Sequence, residues 1–232
     1  MGPLIDWLSG HTLAVLLAIG TAFTFAWLVR FRARLRMPVP AAAAIAVLHT
    51  VYGVFCVSVF AVIEGLGDPA SVGNMSLFGG VFFMPIAYFA GAKLSRRSMA
   101  QVFDLFAICM VFTLLCARVN CLLTGCCRGA LIPGLDGARW PTREAELLFY
   151  VVLLLILGRK VWAGKTQGEV YPIYMIAYGL FRFVVETFRE SDSPTLFHVA
   201  HVWALISLCV GGAVYFQQQA RGKKMRKRKV RR

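Results

Sequence analysis

The sequence predicts an all-α, polytopic membrane protein of about seven transmembrane helices, N-out and C-in, on three observations. The 232 residues are 59% hydrophobic and only 16% charged, with a mean hydropathy of +0.68. The apolar residues gather into separate runs of about 20, the length that carries a helix across a bilayer. Most Lys and Arg fall into every second gap between those runs and into the tail. A water-soluble chain of this length has too little interior for so much apolar side chain. A helix meets the hydrocarbon requirement because it satisfies its own backbone groups.

The expected spans cover 12–29, 40–63, 75–92, 101–117, 146–163, 169–188 and 196–216. Between the first two stand Arg30, Arg32, Arg34 and Arg36. Between the third and fourth stand Lys93, Arg96 and Arg97, and between the fifth and sixth Arg159, Lys160 and Lys165. After the seventh come Arg221, Lys223, Lys224, Arg226, Lys227, Arg228, Lys229, Arg231 and Arg232. Cytoplasmic loops collect basic residues, so all these gaps lie on the cytoplasmic side. Residues 1–11 and the loop 64–74 carry no Lys or Arg and belong outside. No basic n-region precedes the first run, so no cleavable signal peptide is expected. The division that follows is one transmembrane domain over 1–220 and a basic cytoplasmic tail over 221–232.

The formal net charge of +14 raises the question of nucleic acid. A basic run directly after an apolar span is instead the pattern of a stop-transfer segment on anionic lipid, worth about 1 kcal/mol per basic residue near the surface. The expected partner is therefore the membrane, and no nucleic acid. The sequence also lacks GxGxxG, Walker, HExxH and GxSxG motifs, and no cofactor is expected.

The six remaining arginines are Arg118, Arg128, Arg139, Arg143, Arg182 and Arg189. They lie at the outer ends of two spans or in the 118–145 loop. Charge at membrane depth costs about 2.5–3.5 kcal/mol per residue on insertion scales, so it is usually retained for function, with a snorkelling anchor the plainer reading of any single one. In the sixth span, at 100° per residue, Tyr171 and Arg189 lie about 20° from Tyr178, Arg182 about 40° and Glu186 about 80°. One face thus carries two phenols, two guanidiniums and a carboxylate. A guanidinium fork suits phosphate oxygens. The plainer reading of Arg182 and Glu186 is a structural ion pair against a neighbouring helix.

In the fourth span, Arg118 lies about 40° from Asp104 on an ideal helix, placing a base and an acid on one side. Gly125 and Gly129 bracket Cys126 and Cys127, and an irregular turn there would let backbone approach a ligand. With Cys121 these thiols have three readings: a disulfide from Cys121 to either neighbour, free thiols packed as small apolar groups, or a nucleophile or zinc site. Zinc would need a fourth ligand such as His201, and no metal is expected. A disulfide staple is expected in preference to a catalytic thiol. Gly79 and Gly80 open the third span with amides that could face an anion. Glu146 opens the fifth beside Arg143 and Glu144, where a solvated helix start is the bland reading. His11, His198 and His201 sit near outer span ends, and His49 reads as hydrogen-bonded structure within the second.

Four stretches, MSLFGG, RVNCLLTGCCRG, PTREAELL and YGLFRFVVETFRE, resemble in order the bacterial prolipoprotein diacylglyceryl transferases. The resemblance covers nearly the whole chain and implies transfer of a diacylglyceryl group from phosphatidylglycerol to a lipobox cysteine of a prolipoprotein signal peptide. It implies a site facing outward across the bacterial inner membrane. It assigns the signature arginine to Arg118, the span-six Tyr-Gly-x-x-Arg motif to Tyr178 and Arg182, the acid after it to Glu186, and a further glutamate to Glu146. The expected catalytic set is Arg118, Tyr178, Arg182, Glu186 and His201, with Tyr178 or His201 assisting thiol deprotonation. The expected substrate-binding set is Gly79, Gly80, Gly125, Gly129, Glu146, Arg189 and Asp104.

Departures from the family pattern are local. Phe78 stands where the family has a histidine. Cys121 and Thr124 replace asparagines, Cys126 replaces an acid, and Arg143 and Ala145 replace a Gln and a Tyr. Two alternatives follow: a related phospholipid transferase with another acceptor, or a non-catalytic phospholipid-binding membrane protein.

Overall fold

The computed structural model describes residues 11–66, 68, 74–164, 166, 168–190 and 197–230, with the last ten as backbone. Among these residues all regular structure is helical: α1 (Thr12–Arg30), α2 (Arg32–Leu35), α3 (Val39–Glu64), α4 (Phe78–Leu94), α5 (Met99–Thr124), α6 (Thr142–Trp162), α7 (Val170–Glu186) and α8 (Val199–Val230). Each of the seven apolar stretches is therefore helical, with α2 a short extra turn. Four helices are long and apolar enough to cross a membrane: α1, α3, α5 and the Val199–Ala220 part of α8. Helix α4 is apolar but shorter. α6 carries charge at both ends, and α7 has only 17 residues. The segment 1–10, most of the 64–74 loop, Lys165, residues 191–196, and Arg231 and Arg232 lie outside the described residues.

The boundaries have local causes. Pro40 sits in the first turn of α3, just after the extended cap residue Pro38, because proline suits a position where its missing N–H is not needed. Arg36 turns left-handed at φ 45° to close α2. Gly125 ends α5 at φ 72°, the left-handed cap that glycine adopts without a Cβ penalty.

Helix α5 is the central element. Its buried face runs from Val102 through Leu105, Ile108 and Val111 to Leu114 and Arg118. It packs on α1, α4, α6 and α7. Helices α7 and α8 form the most extensive pair, and glycine makes that closeness possible. A Cβ on Gly179 would lie 2.6 Å from the Ala204 carbonyl oxygen, and one on Gly211 would lie 2.8 Å from Met175. Small residues let membrane helices approach backbone to backbone. Ser207 Oγ then donates to the Met175 carbonyl at 3.0 Å. His49 is structural, with Nε2 3.0 Å from the Tyr88 hydroxyl.

Asp104 corrects one expectation. It accepts hydrogen bonds from the Gly168 N–H at 2.7 Å and the Val170 N–H at 2.9 Å, so it caps the start of α7. Fourteen residues at 1.5 Å each separate it from Arg118 by about 21 Å. Sharing a helical face did not bring the two together, because the face runs the full length of α5. Asp104 belongs to the opposite end from the arginines.

Candidate functional site

The ends of α5, α6 and α7 are drawn together by the chain between them. The Ala130 N–H donates to the Phe188 carbonyl at 2.9 Å, and the Glu190 N–H donates to the Arg128 carbonyl at 3.1 Å. Gly129 and Arg189 form an isolated antiparallel bridge, and so do Leu131 and Arg139. Gly129 has no room for a side chain, since a Cβ would lie 2.0 Å from the Trp140 carbonyl oxygen. The close approach expected of a ligand at Gly129 is therefore made by Trp140, and the glycine seats Arg189 rather than substrate. Gly125 likewise serves the turn.

Glu146 is the hub of what this closure assembles. It lies one turn into α6 and is buried, not solvated as an interfacial helix start would be. Its Oε2 is 3.0 Å from Arg118 Nη1 and its Oε1 2.5 Å from Arg182 Nη1. Arg182 Nη2 also reaches Glu186 Oε2 at 2.7 Å. Arg189 Nη1 stands 3.7 Å from Glu186 and 3.9 Å from Glu146. The structural pair read as the plain alternative for Arg182 and Glu186 is thus present, inside a larger network of three arginines and two glutamates. Removing one member of such a buried network strands the others' charge and costs about 3–5 kcal/mol.

Several polar atoms around the network have no hydrogen-bond partner among the described residues. They are Nε of Arg118 and of Arg182, the hydroxyls of Tyr174 and Tyr178, and Nε2 of His201. Orphaned buried donors are rare in folded proteins, and a bound water or ligand is one way they are met. Tyr178 lies in electrostatic reach of Arg182, Arg118 and Glu146, but its hydroxyl bonds to none of them. His201 Nδ1 accepts the His198 N–H at 3.1 Å. A neutral ring that accepts at Nδ1 carries its proton on Nε2. His201 is thereby a donor, which corrects its expected role as a base.

Phe78 fills the place between these groups. Its ring centroid is 5.8 Å from the Arg182 guanidinium carbon and 5.6 Å from the Tyr178 ring. Gly79 and Gly80 do not present free amides: their N–H groups donate to Ser76 and Leu77 carbonyls. A Cβ on Gly79 would lie 2.1 Å from the Cys56 carbonyl oxygen, so that glycine packs α4 onto α3.

Cys121, Cys126 and Cys127 are free thiols, so the expected staple is absent. Cys127 adopts φ 56°. Its thiol is held below the usual range by a hydrogen bond with Cys121, and by the guanidiniums of Arg189 and Arg118.

Two further groups were missed from sequence. Glu64, at the end of α3, is in electrostatic reach of Arg182, Glu186 and Arg189. No local pattern ties it to them. Tyr150 is buried near Arg118 and Tyr178, and its i+4 spacing from Glu146 could have found it.

A family model described as prolipoprotein diacylglyceryl transferase matches residues 8–217. Among curated relatives, the phosphatidylglycerol–prolipoprotein diacylglyceryl transferase of Mannheimia succiniciproducens is 31% identical over 133 residues, covering 52% of this chain and 49% of the relative. That of Verminephrobacter eiseniae is 25% identical over 178 residues, covering 67% and 64%. That of Pasteurella multocida is 29% identical over 145 residues, covering 55% and 53%. The matches thus span about half to two thirds of these relatives.

Proposed function

We propose, on the premise that the chain belongs to the prolipoprotein diacylglyceryl transferase family, that it moves a diacylglyceryl group from phosphatidylglycerol to the cysteine thiol of a prolipoprotein. The observation that carries the reading is the buried arginine network with its unpartnered donors, Nε of Arg118 and Nε of Arg182. The chain spans the bacterial inner membrane seven times, N-out and C-in, with the network at the outer boundary and the basic tail in the cytoplasm. The basic residues gathered in the 30–36, 93–97 and 159–165 gaps and in the 221–232 tail support that orientation.

The chemistry is a displacement at carbon. The acceptor thiolate attacks the glyceryl carbon of the diacylglycerol unit, a carbon–sulfur bond forms, and the carbon–oxygen bond to phosphate breaks. The phosphate oxygen keeps the bonding pair and leaves as glycerol phosphate, while the thiol proton passes to solvent. Arg118 and Arg182 stabilise the negative charge that grows on that oxygen, in a setting too dry to screen it. Glu146 and Glu186 hold both forks in place before lipid arrives, and His201 adds an N–H donor.

Deprotonation is the step with least protein support. Phe78 stands in place of a histidine, and His201 Nε2 carries its proton. This favours, as a second reading, a phospholipid transferase of the same network whose acceptor is not a lipobox cysteine. The experiment is complementation of a strain depleted of its own diacylglyceryl transferase, with lipoproteins read by mass spectrometry. A mass increase of diacylglycerol on the lipobox cysteine is expected. Lipid binding without that modification would transfer the case to the second reading.

A further inference from the structure

The Sγ atoms of Cys121, Cys126 and Cys127 all lie within 4.8 Å of one another. The backbone brings them there. Cys121 is in the last turn of α5, Gly125 turns the chain at φ 72° and Cys127 folds it back at φ 56°. We propose that these three cysteines form a thiolate site for a soft monovalent metal ion, Cu(I), at the end of α5. The site lies beside the arginine network and does not depend on the lipid reading.

Geometry and ligand type select the ion. A metal–sulfur bond of about 2.3 Å in a trigonal plane sets the sulfurs about 4 Å apart, so small side-chain rotations close the observed triangle. No His, Asp or Glu joins the group among the described residues. Zinc in a closed protein site takes four ligands, and the fourth considered from sequence, His201, does not join the group. Soft thiolates favour Cu(I), which is satisfied by three. Carboxylate-loving Mg²⁺ and Ca²⁺ find no oxygen ligand here.

Charge and access fit as well. Three thiolates and Cu(I) carry a net charge of −2. Arg118 Nη1 stands 3.9 Å from Cys121 Sγ, and Arg189 acts on Cys127. Both guanidiniums offset that charge without competing as ligands, since Arg donates only. Cys126 is exposed and gives the ion a way in. Binding releases the remaining thiol protons to solvent and changes no oxidation state.

The test uses the full chain in detergent, reduced and kept free of oxygen, titrated with the Cu(I)–bicinchoninate complex. The expected result is one Cu(I) drawn from the chelator per chain, with three thiols becoming resistant to alkylation. Cys126→Ser should weaken binding by at least about tenfold, the scale on which a lost site partner acts. The triple Cys121→Ser, Cys126→Ser, Cys127→Ser variant should bind none, and Cys209→Ser should bind as the parent does. The exposed Cys126 position keeps the test informative should the triple variant misfold. The proposal is overturned if the chelator retains all copper, if Cys126→Ser binds unchanged, or if equimolar Zn²⁺ displaces the ion.

Discussion

Glu146 places one carboxylate oxygen on each of two arginines, Oε2 at 3.0 Å from Arg118 and Oε1 at 2.5 Å from Arg182. The three residues come from α6, α5 and α7, so one buried acid joins three helices.

Glu146→Ala leaves Arg118 and Arg182 facing each other without their shared counter-charge. The expected loss is about 3–5 kcal/mol of stability, together with transfer activity. Thermal denaturation in detergent checks the first, and lipid transfer at a temperature where the variant is folded checks the second. A variant as stable as the parent would show that the network is not structural.

Arg182→Lys should lower transfer by about 10- to 100-fold, the scale of one lost charge-assisted hydrogen bond of about 1.5–3 kcal/mol. A lysine ammonium cannot reach Glu146 and Glu186 together in the forked geometry. Unchanged transfer in both Arg182→Lys and Arg118→Ala would remove the phosphate role from the arginines.

Phe78→His puts an imidazole beside Arg182 and Tyr178, where a base is wanting. Transfer to a lipobox peptide should rise by at least about tenfold, within the range general base catalysis supplies. The gain should fade as the ring protonates, at a pH below the ordinary imidazole value of about 6.5 because burial and Arg182 disfavour the charged form. An equally slow Phe78→His variant at every pH would mean that deprotonation does not limit the reaction.

Asp104→Asn replaces one acceptor of two backbone N–H groups by a donor. A loss of about 1–3 kcal/mol is expected from the unmet hydrogen bond, measured by thermal denaturation. Affinity for phosphatidylglycerol micelles should stay at the parental value, because Asp104 lies at the far end of α5. Weakened lipid affinity in a folded variant would return Asp104 to the site.

The Cys127 thiol is held below its ordinary ionisation range by its hydrogen bond with Cys121 and by the guanidiniums of Arg189 and Arg118. Its alkylation rate should change little from pH 7 to pH 8. A glutathione control, with an ordinary thiol pKa near about 8.5, speeds up several-fold over that interval. Arg189→Gln should restore part of the slope. Peptide mass spectrometry after timed alkylation reads the rate, and a Cys127 slope equal to that of glutathione would contradict the assignment.

Much of this protein was legible before its structure. Long apolar runs dictate helices, because a backbone in hydrocarbon must bond to itself, and α1, α3, α5 and α8 follow from that alone. The cost of burying charge singled out Arg118, Arg182 and Arg189, since a guanidinium is not retained at membrane depth without a partner or a task. Helical spacing could place Glu186 beside Arg182, because both ride on one helix. It could not tell that Glu146 is the hub, because that contact spans separate helices and depends on how the 125–141 chain folds back. Spacing also misplaced Asp104, which shares a face with Arg118 but stands about 14 residues of rise away. The thiols show the same division: sequence put three cysteines near one turn, while only the left-handed backbone at Gly125 and Cys127 brought their sulfurs together. Local periodicity specifies what each helix presents, and tertiary packing decides which presented groups meet.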